Sequence, residues 1–206
     1  MDLFVRTGSW AAIAGGALLA GGAFINVLPP DYASNEFSRE VTTGTFALTA
    51  TLRLLSIPLL TWGILAIYAR QADRLHVFGL VAVVLTLTSL LLNGSVVFAD
   101  LFITPSIAHQ APAILDGNPG GRLGVGFLLA WVSNLSFLLL GIATLRAKAL
   151  SRWSGWALVI VGLCPALPLS GTETIIGLGL AAAGFAALKP RPATAAETIP
   201  ASLIRS

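Results

Sequence analysis

The chain has 206 residues, 56% of them hydrophobic and only 10% charged, with a mean hydropathy of +0.87. A soluble domain carries about a quarter of its residues as Asp, Glu, Lys and Arg, so this composition excludes an ordinary soluble enzyme or binding module and points to an integral membrane protein. The net charge of +3 comes without any basic run interleaved with aromatics, so nucleic acid is not an expected partner.

A membrane span needs about 20 mostly apolar residues. Six segments read this way: Ser9–Leu28, Ala47–Ala69, Val77–Phe102, Leu123–Leu145, Trp153–Leu169 and Thr174–Leu188. Backbone polar groups in lipid must be satisfied within the segment, which makes these helices. They are too long and unbroken for barrel strands. The expected fold is all-α, an integral membrane bundle of six transmembrane helices spanning residues 1–189 and leaving no room for a separate soluble domain.

Met1–Gly8 is a short polar lead. The first span resembles a signal peptide in its basic start at Arg6, but it is long for a signal core, and a retained helix is expected. It is rich in Gly and Ala: Ala12, Gly16 and Ala20 lie four apart, as do Ala17 and Gly21. Small residues at that spacing let helix backbones approach closely. The last span repeats the texture with Gly177, Gly179, Ala181, Ala182, Ala183 and Gly184, so the first and last helices are expected to pair inside the bundle.

Pro29-Pro30-Asp31 stops the first helix. The second span carries Pro58, expected as a kink. A tight loop over Arg70–His76 joins it to the third. The segment Ile103–Arg122 is the longest loop. Within it, Pro105–Asp116 reads as a short helix on the membrane surface, weakened by Pro112. Asn118-Pro119-Gly120-Gly121 is a turn. The fifth span has Pro165 and Pro168 near its end, and only Ser170-Gly171-Thr172-Glu173 separates it from the sixth. Pro190–Ser206 reads as a disordered polar tail.

The loops sort by charge. Arg6, Arg70, Arg74, Arg146, Lys148, Arg152, Lys189, Arg191 and Arg205 fall on one side, and only Arg39, Arg53 and Arg122 on the other. Basic loops stay cytoplasmic. Both termini are therefore expected in the cytoplasm, in a cell membrane with the sidedness of a bacterial cytoplasmic membrane. Trp10, Trp153 and Trp156 fit an interfacial belt at the basic face, while Trp62 and Trp131 lie deeper and read as packing residues.

Counting 1.5 Å per residue from the inner anchors gives the depth of the polar residues inside the spans. Arg53 lies 17 residues from Arg70, Glu173 lies 16 from Lys189, and Asn93 lies 17 from His76. All three reach about 25 Å, one layer just beneath the outer edge of the core. Asp100 lies further out on the helix of Asn93. Asn26, Ser133 and Asn134 add polar groups on the first and fourth spans. A charge in a span faces the bundle interior and is paired. Arg53 keeps its proton and wants a carboxylate, with Glu173 the leading partner and Asp100 the second.

Two readings follow. In one, Arg53, Glu173, Asn93, Asp100 and Asn134 form an outward-facing pocket for a small polar or anionic ligand. In the other, Arg53 and Glu173 are a structural ion pair, or Arg53 snorkels to the headgroups. His76 and His109 fall on opposite sides and cannot share a metal, and Cys164 lacks a partner for a disulfide. No Gly-rich phosphate loop, H-E-x-x-H or serine elbow occurs. No catalytic residue, cofactor or metal is assigned. The expected partners are the lipid bilayer and either a small ligand or other membrane subunits. The expected function is an accessory subunit or a small-ligand or lipid-binding membrane protein, with a small transporter second and an intramembrane enzyme third.

Overall fold

The computed structural model describes residues 3–27, 36–117, 121–164 and 172–189. These residues form helices and no strand: α1 (Leu3–Val27), α2 (Phe37–Glu40), α3 (Gly44–Phe102), α4 (Thr104–Gln110), α5 (Pro112–Asp116), α6 (Gly121–Ser133), α7 (Ser136–Ala147), α8 (Arg152–Leu163) and α9 (Thr172–Leu188). The expected turns at Pro29-Pro30-Asp31 and Asn118–Gly120, the prolines 165 and 168, Ser170-Gly171 and the tail from Pro190 lie outside the described residues.

Three stretches are long and apolar enough to cross a membrane: Leu3–Ile25, Gly44–Phe102 and Gly124–Ala147. The outward faces of these stretches and of α8 and α9 are apolar as well. Leu55, Leu91, Phe98, Leu128, Ile160, Leu178 and Phe185 are all exposed. A water-soluble surface does not carry so much contiguous apolar area, whereas lipid is a suitable solvent for it.

The 59-residue α3 is two helices joined at one residue. His76 has φ 44° and ψ −166°, which no helix contains. The arms, residues 44–75 and 77–102, fold back on each other, since a Cβ on Gly94 would lie 3.3 Å from Ile57 and these positions are nearly equidistant from His76. The loop expected over Arg70–His76 is thus helical to Leu75 and reverses at a single residue. Pro58 sits inside the first arm, which keeps helical φ/ψ through it.

The expected fourth span is present as an apolar stretch of membrane length, but its helix is not continuous. It divides into α6 and α7 at Asn134 and Leu135, and the cause is local. Ser133 Oγ donates to Ala130 O at 2.7 Å, and Asn134 Nδ2 donates to Ala130 O and Trp131 O at 3.1 and 3.2 Å. Side chains that compete for the backbone carbonyls disturb the regular ladder. The chain tightens into i→i+3 bonds, Asn134 N to Trp131 O and Leu135 N to Val132 O, before α7 resumes. The surface helix expected over Pro105–Asp116 is likewise two helices, broken at Ala111. Pro105 and Pro112 occupy their first turns, where the missing N–H costs nothing.

The helix α1 lies between the first arm of α3 and α9. At the α1–α9 seam a Cβ on Gly16 would lie 2.5 Å from Gly177 O, and one on Gly177 would lie 2.5 Å from Ala20 N. Backbones this close tolerate no side chain, so the pairing anticipated from the small-residue spacing is present. The core centres on Leu60, Ile64, Ile67, Leu140, Leu158 and Leu180.

Contacts sort the helix ends. At one end, Arg70 donates to the carbonyls of Ala187 and Lys189, closing the C-terminus of α9. Phe4 stacks on Trp62 with centroids 5.3 Å apart, Gln71 bonds Thr144, and Arg146 lies 5.2 Å from the Phe78 ring. The start of α1, the His76 reversal, the end of α7 and the end of α9 therefore share this end. At the other end Val41, Phe46, Ala50 and Ala108 form a small second core. There Asp116 accepts from Ser38 N and Ser38 Oγ at 2.8 and 2.7 Å, tying α5 to α2. These bonds to its charged form hold the Asp116 carboxyl below the usual aspartate value.

Candidate functional site

A cavity of about 640 Å³ opens inside the bundle at the end away from the basic residues. It lies against α1, both arms of α3, the α6–α7 break and the first turns of α9. Four of the five residues singled out from the sequence line it: Arg53, Asn93, Asn134 and Glu173.

Arg53 comes from the first arm of α3, and its Nη2 donates to Glu173 Oε1. Glu173 stands in the first turn of α9, where the helix dipole favours an anion. Their side chains are 20% and 40% exposed, so the pair faces the cavity rather than a dry core. Across from it, Asn93 Nδ2 donates to Ser89 O at 2.9 Å and reaches Asn134 Oδ1 and Ala130 O at 3.4 Å. Ser133 Oγ donates to Ser89 Oγ at 3.0 Å. The irregular backbone at Asn134 is thus repaired by side chains of the second arm. Irregular backbone at membrane depth is tolerated where protein surrounds it or where it lines a cavity, and here both hold.

Asp100 departs from the expectation. It does not line the cavity but lies one turn above Val96 and Val97, which do. Residues three and four apart share a helix face, so Asp100 stands over the mouth, where it interacts electrostatically with both Arg53 and Glu173. Trp131 corrects another reading: it is not packed but half exposed on the cavity wall. The side chains of Asn26 and Arg122 lie outside the described set. His109, whose Nδ1 is 2.7 Å from Pro105 O, is on α4, and among the described residues no group of His, Cys, Asp and Glu is arranged to hold a metal ion.

No family model, no curated protein and no solved structure matches this chain. The chemistry of the cavity therefore has to be read from its own residues. Twelve of the seventeen lining residues are apolar, with Leu19, Ile57, Leu60, Leu90, Phe137 and Leu180 among them. The five polar ones gather near the mouth. Concave, mainly apolar sites with a few convergent polar groups are the usual form of small-molecule sites, at volumes of about 300–1,000 Å³. The arrangement can bind and orient. Among the described residues around it, no nucleophile and base are hydrogen-bonded to each other, and the geometry by itself supports no group-transfer step.

Trp131, Thr172 and the break beside Asn134 belong to the site without having been singled out for it from the sequence. Ser133-Asn134, with Ser136 two residues on, was the available signal for the break: polar residues that prefer local backbone bonds, in mid-span.

Proposed function

We propose that this chain is a multi-pass membrane protein that crosses the bilayer six times, keeps both termini with its basic loops on the cytoplasmic side, and binds a small ligand in a cavity open toward the opposite face. The antiparallel arms of α3 supply two of the crossings. The clustering of Arg6, Arg70, Arg74, Arg146, Lys148 and Lys189 around one end of the bundle supports the sidedness. Single cysteines introduced into a Cys164→Ala chain test it. An impermeant maleimide added to intact cells is expected to label positions 109 and 117 and to spare positions 7 and 148, and labelling of position 7 or 148 refutes the topology.

The observation that carries the ligand reading is the convergence of Arg53, Asn93, Asn134 and Glu173, from distant parts of the chain, on one cavity. A purely structural ion pair has no need of an empty space beside it. Below the cavity floor the centre of the bundle is filled by Ile64, Ile67, Leu140, Leu158 and Ala183, each at most 1% exposed. That seal favours a ligand that enters and leaves by the same side over one conducted through the protein.

Native mass spectrometry of protein extracted in mild detergent is the test. A bound small molecule is expected on the wild type and is expected to be lost in Arg53→Ala and Glu173→Gln. Each single change leaves one charge without its partner and is expected to cost about 1–3 kcal/mol, less than the 3–5 typical of a fully buried pair, because both side chains are partly exposed. The Arg53→Met/Glu173→Met double variant leaves no orphaned charge and separates lost binding from lost folding. Equal bound mass in all four proteins refutes the reading.

A further inference from the structure

The cavity identifies the class of its ligand more narrowly, provided that the ligand-binding reading itself holds. Three observations bear on it. The first is charge. Arg53 is already engaged by Glu173, and Asp100 lies one helical turn beyond Val96 and Val97, which line the same mouth, so a second carboxyl group stands on the same side as the one guanidinium. Arg39 is committed to Glu36 at 2.7 Å. By sequence the whole outer end carries six acidic residues (Asp31, Glu36, Glu40, Asp100, Asp116, Glu173) against three basic ones. A mouth with an excess of one sign of charge concentrates ions of the other sign. An anion would have to displace Glu173 from Arg53, while a cation would not.

The second is hydrogen-bonding polarity. Asn93 Nδ2 donates to Ser89 O and reaches Ala130 O and Asn134 Oδ1, and Asn134 Nδ2 donates to Ala130 O and Trp131 O, so the N–H groups are engaged while Asn93 Oδ1 and a second lone pair of Asn134 Oδ1 face no donor among the described residues. What these amides offer an incoming group is acceptor oxygen. An ammonium, which is donor only, matches that offer. Trp131, half exposed on the wall, adds a ring face of the type that holds cations.

The third is shape. Below the polar layer the lining is apolar down to Leu60 and Leu180, each seven residues along its helix from Arg53 and Glu173, or about 10 Å. A bare small cation leaves that volume unfilled. Among the described residues, two helices of the wall have no seam with each other. The packing of α6 is against the second arm of α3, while α9 packs on α1, α8 and α3. Among the described residues α6 and α9 therefore face each other across the cavity, through Leu128 and Trp131 on one side and Glu173 and Ile176 on the other, with no helix–helix seam between them.

We propose that the cavity binds a single-chain cationic amphiphile that enters from the bilayer between α6 and α9, its ammonium head held among Glu173, Asp100 and the Trp131 ring and its alkyl tail lying along Ile57, Leu60 and Leu180. Head and tail then each meet the part of the cavity that suits them.

The test uses full-length protein in neutral glycoside micelles, with Trp10, Trp62, Trp153 and Trp156 changed to Phe so that Trp131 alone reports. The probe is decylammonium brominated at the end of its chain, a contact quencher. Saturable quenching is expected, displaced at least tenfold better by unbrominated decylammonium than by decyl sulfate or by ethylammonium, and weakened about tenfold or more in Asp100→Asn. Decyl sulfate competing as well as decylammonium overturns the cationic head. Ethylammonium competing as well overturns the tail. In both cases the cavity remains a ligand site. Quenching that rises in proportion to probe without saturating, in wild type and variant alike, overturns the amphiphile. If neither the probe nor acrylamide reaches Trp131, there is no accessible cavity, and the ligand reading itself falls.

Discussion

Gly177→Ala is expected to damage both the fold and the site, because the α1–α9 seam has no room for a methyl group. The added Cβ would lie 2.5 Å from Gly16 O, 2.5 Å from Ala20 N and 2.9 Å from Ala20 Cα. All three are backbone atoms, which no rotamer change can move. Ordinary contact begins near 3.4 Å, so the helices must separate by roughly 1 Å. Overpacking of this kind costs about 1–3 kcal/mol. Against it stands the gain in helix propensity, about 0.8–1.0 kcal/mol for Gly to Ala. The net expectation is a loss of up to about 2 kcal/mol. Gly21→Ala, on the partner helix α1, is the control: nothing lies within 4 Å of its Cβ, so only the propensity gain applies and the sign reverses. Glu173 stands one turn before Gly177 on α9, so a displaced α9 also carries Glu173 away from Arg53. The assay is reversible unfolding in mixed micelles, followed by far-UV circular dichroism, for both variants and the wild type. A Gly177→Ala protein as stable as Gly21→Ala refutes the seam and, with it, the placement of α9 that brings Glu173 to the cavity.

Two further outcomes are expected. His76→Gly should be neutral or stabilising by about 1 kcal/mol, since a residue with a side chain is strained at positive φ and glycine is not; a β-branched His76→Val should be destabilising, and melting temperatures in the same micelles report both. The Asp116 carboxyl, followed by carbonyl ¹³C NMR, should titrate below the ordinary aspartate value of 3.8, and Ser38→Ala should raise its midpoint while the backbone N–H bond holds it partly down. A carboxyl with a lowered folded-state pKa contributes stability above its unfolded pKa and loses that contribution as pH falls through the folded one. The tie between α2 and α5 should therefore persist at neutral pH and release only in acid below the usual carboxylate range.

The helical class and the apolar exterior were legible in the chain because they depend on composition and run length, which are local quantities. Arg53, Glu173 and Asn93 could be assigned to one layer for a similar reason: helical rise is constant, so residue number measures depth. The small-residue spacing of Gly16, Ala20 and Gly177 announced a close seam because only backbone proximity requires it. What the sequence left open was azimuth, the direction each side chain takes around its helix. Only packing decides that. It turned Trp131 to the cavity wall rather than the core, and it set the Asn93–Ser89 face of the second arm against the Ser133–Asn134 break. The cavity exists because α6 and α9 each found better partners elsewhere, and that outcome depends on the whole bundle at once.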